Sequence, residues 1–407
     1  MKRYIGVRHR VKKTADGEAR PTQVVIVHGV EKKVLELEDE NAELDFVLGR
    51  LPVAYREVDP GEDISSVIER HVKRKKLDGG LERVSVPEEY EGLKSGDVVA
   101  MVLGGSGDNL AFALSRKAEE NGAKVLRIPP FELKARRTGE DKDEDAELLA
   151  TLAMKSPGLF YEATPKDRTL IMIRETFAAR MEAMKERIAC EQRLRTYVVG
   201  AVFRNKEGLF PEGAIEELFE KEKANDVILE ALEKEEKKRA KEMDKALAEF
   251  DVYQAVLSKV EGCGPAIAAR IISSVMDIRR FENEAKLKAF CGVHVGEGGK
   301  FVRRRKGTVA NWSPDARQGL YLLADQFNRR PDSVWGKKLL EYKVKFREKH
   351  PEEVVDGKKR YSKGHIHKMA MWRTITKFVE WLYREWSRLE RAHSSPASEP
   401  KKMAANG

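Results

Sequence analysis

Cysteine is scarce: Cys190, Cys263 and Cys291 are the three in 407 residues. None falls in a Cys-x-x-Cys pair, so the sequence supports neither a disulfide framework nor a zinc site, and the thiols read as small core fillers. Long apolar runs are missing too, since no window reaches the ~18 residues that a membrane helix needs. The opening Met1-Lys2-Arg3-Tyr4-Ile5-Gly6-Val7-Arg8 is basic without the apolar centre of an export signal. These absences point to a cytoplasmic protein with no membrane partner. His365 and His367 lie two apart, so on a helix they would face different sides, which argues against a shared metal.

What is abundant is charge. Charged residues make up 36% and apolar residues 41%, with a formal net charge of +9. At this length the chain exceeds one ordinary core, and two or three domains are expected. The positive excess is concentrated in Lys300, Arg303, Arg304, Arg305 and Lys306, and again in Lys358, Lys359, Arg360, Lys363, Lys368 and Arg373. A solvated face accounts for such clusters, and so does a surface for a polyanion; the second reading favours nucleic acid.

Between the clusters and the middle of the chain lies Val260-Glu261-Gly262-Cys263-Gly264-Pro265-Ala266, flanked by apolar residues at helical spacing. It reads as a helix-hairpin-helix. Gly262 and Gly264 supply backbone freedom, and Pro265 suits the first turn of the second helix because it has no N–H to orphan. Amides at that helix start, Ala266 among them, suit a phosphate oxygen. A plain helical corner gives the same pattern.

The rest of the chain divides by periodicity. Strands are expected at Tyr4–Val7, Val24–Val27, Val34–Leu37, Asp97–Leu103 and Lys124–Ile128, and helices at Glu43–Leu51 and Leu110–Asn121, giving an α/β sheet with helices on its faces. Two long helical stretches, 167–202 and 212–259, suggest an antiparallel coiled-coil arm with solvated charged faces. A helical region closes the chain, its last helix carrying a Met371-Trp372-Ile375-Phe378-Val379-Leu382-Trp386 stripe that reads as core. The expected division is 1–160, an α/β domain; 161–259, the arm; 260–391, an all-α domain; and 392–407, a disordered tail.

Three segments carry a family likeness in this order: Asp145-Ala146-Glu147-Leu148-Leu149-Ala150; Gly262-x-Gly264 leading to Leu287-x-x-Phe290-Cys291-Gly292; and Arg303-Arg304-Arg305-Lys306-Gly307. The arrangement resembles the one-ten insertion-sequence transposases, bridge-RNA-guided recombinases related to Piv-type DNA invertases. The resemblance covers nearly the whole chain and is closest around Asp145 and over Val260–Gly307. It implies an RNase H-like (RuvC-like) first domain whose four acids bind Mg²⁺, and a last domain whose serine attacks DNA. It also implies DNA transposition as the activity and a guide RNA as a second partner. The arm suggests a homodimer or tetramer, and DNA binding suggests nucleoid association.

Residue by residue, the chain departs from that pattern. The first acid falls on Arg8, the second on Met101 and the next two on Lys142 and Asp145, while the serine loop corresponds to Gly296-Glu297-Gly298-Gly299. Asp145 alone remains, and Asp141, one helical turn away, is the candidate to share a metal with it. Acids opening a helix, where the dipole favours them, explain the same run. Ser313, before Pro314 and Asp315, reads as a helix N-cap. The function expected is therefore a nucleic-acid-binding descendant of a DNA recombinase, degenerate at its catalytic positions. The alternative is an active Mg²⁺-dependent transposase using displaced acids. Nucleic-acid contacts are expected at Gly262, Gly264, Ala266, Lys300, Arg303, Arg304, Arg305 and Lys306.

Overall fold

A computed structural model describes residues 2–11, 19–59, 61–76, 82–139, 142–205, 215–296, 301–303, 307, 311–355 and 358–394. The chain forms two compact units, Met1–Arg168 and Thr169–Gly407.

The first unit is built on a six-stranded sheet. Its strands are β1 (Tyr4–Arg8), β2 (Thr22–His28), β3 (Glu31–Leu37), β7 (Val98–Val102), β8 (Lys124–Ile128) and β9 (Tyr161–Glu162), in the spatial order β3-β2-β1-β7-β8-β9. β1, β7 and β8 run parallel, whereas β2, β3 and β9 are antiparallel to their neighbours. Alternation decides what lies on each face. Ile5, Val7, Val99 and Met101 pack with α1 (Glu40–Val47) and α2 (Asp108–Asn121). Val98, Ala100 and Ile128 pack with α3 (Pro130–Arg136) and α4 (Asp145–Lys155). Gly6 faces α4 so closely that a Cβ there would stand 1.8 Å from the Ala146 carbonyl oxygen. Any larger residue at position 6 would push α4 off the sheet.

A second sheet, β4 (Leu51–Glu57), β6 (Glu82–Glu91) and β5 (Lys73–Lys76), is entirely antiparallel, in the order β4-β6-β5. Sequence periodicity misses it because β5 is wholly charged and β6 is rich in glutamate. β5 is Lys-Arg-Lys-Lys and fully exposed, the composition of a protected sheet edge.

The second unit is mostly helical. Its helices are α5 (Pro165–Phe203, beginning before the boundary), α6 (Ile215–Asn225), α7 (Val227–Ala248), α8 (Asp251–Ala255), α9 (Pro265–Val275), α10 (Glu284–Phe290), α11 (Pro314–Arg329), α12 (Val334–Lys349) and α13 (Lys363–Ser394), with a hairpin β10 (Glu353–Val355) and β11 (Lys358–Arg360). The expected helix over 212–259 is broken three times among the described residues, the last at Val256. The carboxylate of Asp226 accepts from Leu229 N at 2.7 Å and starts α7 afresh, and the chain breaks again at Glu249-Phe250. α5 meets α6 and α7 through Arg195–Glu216, Lys223–Glu191 and Arg187–Glu236 pairs. These register in opposite directions along the two strands of the pair, as antiparallel helices must. α13 continues to Ser394, past the expected end at 391; residues 395–407 lie outside the described residues. The stripe on α13 is core: Phe378, Ile375 and Trp386 are fully buried, with Trp335 edge-on to Phe378 at 5.2 Å.

Candidate nucleic-acid interface

The glycine turn is built as its residues demand, but its first helix is short. α8 ends at Ala255, Val256 leaves helical geometry, and a single 3₁₀ turn over Leu257–Lys259 leads into the corner. Gly262 adopts φ +90°, and a Cβ on it would stand 2.7 Å from Cβ of Gln326. Only glycine meets both conditions. Gly264 caps α9 with extended backbone, Pro265 takes the first helical position, and no side chain caps the helix. The amide of Ala266 therefore opens onto a cleft of about 530 Å³, lined by Gly262, Gly264, Pro265, Ala266, Gln326 and Arg330. α9 is held to α11 by the buried Arg270, which donates to Gln318 at 2.9 Å and to Asp315 at 3.2 Å. Burial pushes the Arg270 pKa down.

Of the basic loop, Arg303 is described and exposed; Lys300, Arg304, Arg305 and Lys306 lie outside the described residues, as do Glu297, Gly298 and Gly299. Its root is tied down by a residue that the sequence did not single out. Arg317, on α11, lies between the rings of Trp312 and Trp372 at 5.1 and 4.7 Å and donates to the Val302 carbonyl at 2.8 Å. Among the described residues its guanidinium is stacked and has no carboxylate partner, and burial pushes its pKa down. The indoles fix the cation, and the cation fixes the backbone beside Arg303. A Trp-Ser-Pro-Asp-Ala-Arg run was the only signal, and nothing in its spacing distinguishes that role. Ser313 accepts from Ala316 N at 3.2 Å and is the N-cap of α11.

The acids of the first unit are a different matter. Asp145 opens α4, and Arg137 grips both its oxygens, Nε to Oδ1 at 2.8 Å and Nη2 to Oδ2 at 2.7 Å. Asp108 is fully buried and pairs with Arg127, which also donates twice to the Val102 carbonyl. Asp97 receives Arg3 through Nε and Nη2, both at 3.0 Å, and the Lys94 amide at 2.8 Å. Asp141 lies outside the described residues. At the end of β1, Arg8 stands where the resemblance requires an acid, with Nε buried and unpartnered among the described residues. Met101 is buried in the core.

A Mg²⁺ site needs several carboxylate oxygens free to turn toward one point. Among the described residues no three His, Cys, Asp or Glu side chains form such a group, and the candidates above are held by arginines. The described residues do not fit the ion. The end of β1 carries instead a hydrogen-bonded lock. His9 Nδ1 lies 3.0 Å from Ser106 Oγ and its Nε2 lies 3.3 Å from Glu43 Oε1, which also accepts from Thr22 at 2.6 Å. A Cβ on Gly107 would stand 3.0 Å from His9 Cβ, so the small residue admits the ring. Burial is the main cause that pushes the His9 pKa down, leaving a neutral imidazole between a hydroxyl and a carboxylate.

The cysteines are free and buried, and burial pushes Cys263 and Cys291 up to about 12. Neither is a nucleophile near neutral pH. Among the described residues, no helix is long and apolar enough to cross a membrane.

Residues 254–338 match the family described as Transposase IS116/IS110/IS902 family. The matched segment runs from α8 through the glycine turn, the Arg303 loop and α11 into α12. No curated protein matches the chain.

Proposed function

We propose that this chain is a transposase-family nucleic-acid-binding protein, derived from a DNA recombinase, that grips DNA with its second unit and has lost carboxylate-metal chemistry in its first. The observation that carries the reading is the similarity of residues 254–338 to a transposase family, because that segment holds the glycine turn and the arginine loop together. In this reading Gly262 and Gly264 shape a helix-hairpin-helix whose Ala266 amide takes a phosphate oxygen, and Lys300, Arg303, Arg304, Arg305 and Lys306 extend the contact along the backbone. The strand order β3-β2-β1-β7-β8-β9 supports an RNase H-like, RuvC-like ancestry for the first unit. The ion pairs between α5 and α6–α7 support an antiparallel arm through which copies of the chain would associate. A guide RNA would be a second polyanion for the same basic surfaces, and the protein would work in the cytoplasm, on or near the nucleoid.

The clamp on Asp145 supports loss of cleavage. In the competing reading, Asp145 and Asp141 would share Mg²⁺ and the chain would cut and join DNA. Two measurements on one preparation separate them. Affinity for duplex DNA, followed against salt, should give a steep log–log line, and Arg303→Ala with Arg304→Ala and Arg305→Ala should flatten its slope by about 2 to 3. Supercoiled and cruciform DNA with Mg²⁺ or Mn²⁺ should remain uncut. An unchanged slope removes the loop from the interface. Nicking that Asp145→Ala abolishes establishes the recombinase.

A further inference from the structure

α11, α12 and the start of α13 border a cleft of about 710 Å³, lined among others by Asn328, Lys343, Arg347, Lys363 and His367, all but Asn328 outside the matched segment. Its chemistry is lopsided. Glu348, exposed to solvent, is the one acid on the wall. The Lys343 ammonium donates to the amide oxygen of Asn328 at 2.8 Å rather than to a carboxylate, and burial pushes its pKa down. His367 is pushed down as well, first by burial and then by the charge of Lys343. Arg347 spends Nη1 on the carbonyls of Tyr361 at 2.9 Å and His350 at 3.5 Å. Cations gathered and partly desolvated with few carboxylates near them, Glu348 on the wall and Asp325 acting on His367, raise the energy of the free protein, and an incoming anion relieves it.

Against this cleft stands a stack of three rings. His350 and Tyr361 lie 4.6 Å apart at 17°, and Tyr361 and His365 lie 5.4 Å apart at 20°. Tyr361 holds φ +52°, a left-handed conformation that side chains other than glycine seldom adopt. The bond from Arg347 to its carbonyl braces that conformation and ties the stack to the cleft. His365 is exposed, and the basic strand β11 leads directly into the stack.

We propose that the cleft and the stack form one nucleotide-recognition site for a single-stranded segment. The cations of Lys343, Arg347 and Lys363 receive a backbone phosphate beside the His367 ring, and the exposed ring of His365 takes an unpaired base. A paired base in a duplex has both faces covered by its neighbours, so this surface selects a strand that is open, whether DNA or RNA. The inference rests on the nucleic-acid reading above but uses residues outside the matched segment.

The test uses the full chain with single-stranded DNA, single-stranded RNA and duplex DNA oligonucleotides, the single strands carrying 5-iodouracil for photocrosslinking. Single-stranded affinity should fall about tenfold in His365→Ala, within the range of one lost base stack. Lys343→Met should reduce the salt slope on single strands by about 0.7. Crosslinks should map to the peptide holding Tyr361 and His365, and duplex affinity should stay within about twofold in both variants. His365→Phe, which keeps a stacking face, should restore most of the affinity; if it does not, His365→Ala acts through folding and the stacking assignment falls. Equal binding of DNA and RNA means that the sugar is not read, and a tenfold bias toward RNA identifies the RNA strand as the occupant. If both loss variants bind single strands as wild type does, the site is wrong while the duplex interface stands. If wild type binds none of the three, this inference and the nucleic-acid reading fall together.

Discussion

The two units differ in what meets the cations at their candidate sites, although both carry arginine–carboxylate pairs elsewhere. In the first, arginines close on acids: Arg3 on Asp97 and Glu91, Arg127 on Asp108, Arg137 on Asp145, and Arg50 and Arg70 with His71 on Asp45. In the second, the cations that line its clefts and loop root meet amides, carbonyls and aromatic faces, as Lys343, Arg347 and Arg317 do. Charge consumed inside a fold holds that fold together and offers little to a partner. Charge left without carboxylates is available to a polyanion. Under the proposed function, this contrast assigns nucleic-acid binding to the second unit.

The largest effect that tests this contrast is on stability. Asp108→Ala strands the buried guanidinium of Arg127, and breaking a buried pair from one side costs about 3–5 kcal/mol. Chemical denaturation of the variant should show that loss in the first unit, with nucleic-acid affinity unchanged where the protein remains folded. A loss near zero would mean that the pair is not a structural element, and its acid would again be a candidate ligand. Next in size is Gly262→Val, which combines a β-branched residue at φ +90° with a clash against Gln326. We expect about 1–3 kcal/mol of destabilisation and weakened duplex binding, measured by thermal unfolding and by a salt titration. Normal folding together with normal binding would reduce the glycine turn to a corner.

How much of this was legible depended on period and side-chain type. The central sheet was readable because Ile5, Val7, Val99 and Met101 alternate with residues that serve the opposite face, and α2 and β8 carry clean apolar signals. The β4-β6-β5 sheet was not, because β5 is four exposed cations with no apolar face to betray it. The turn at Gly262 was visible as a glycine-proline punctuation, but the break at Val256 depends on packing of the corner and not on a breaker residue. That Arg8 and Met101 are not the carboxylates the resemblance calls for was readable directly. The clamp by Arg137 was hidden, since a residue eight places upstream of Asp145 becomes its partner only when α3 and α4 are folded. The ring stack was missed for a similar reason: His350, Tyr361 and His365 come from a helix end, a loop and the next helix.

The smallest effect sharpens the contrast at the end of β1, where His9 follows Arg8, the position expected of a catalytic acid. His9 is pushed down in the folded state, first by burial, with the charge of Arg10 adding to the shift and Glu43, a backbone hydrogen bond at Arg10 and Asp108 opposing it. A histidine whose folded pKa lies below its unfolded value favours folding while both states are neutral. That contribution is complete above the unfolded value of about 6.5, and falls away as pH drops through the folded pKa. The pH dependence of unfolding should therefore show a loss of stability below about pH 6.5 that His9→Gln reduces, because glutamine keeps a hydrogen bond without a proton to gain. Carboxylates elsewhere add their own loss at lower pH, so the informative quantity is the difference between the two profiles. Were wild type and variant to run parallel from pH 7 to pH 5, the imidazole would not be held neutral by its surroundings. The His9 lock would then be a set of hydrogen bonds with no electrostatic consequence for the fold.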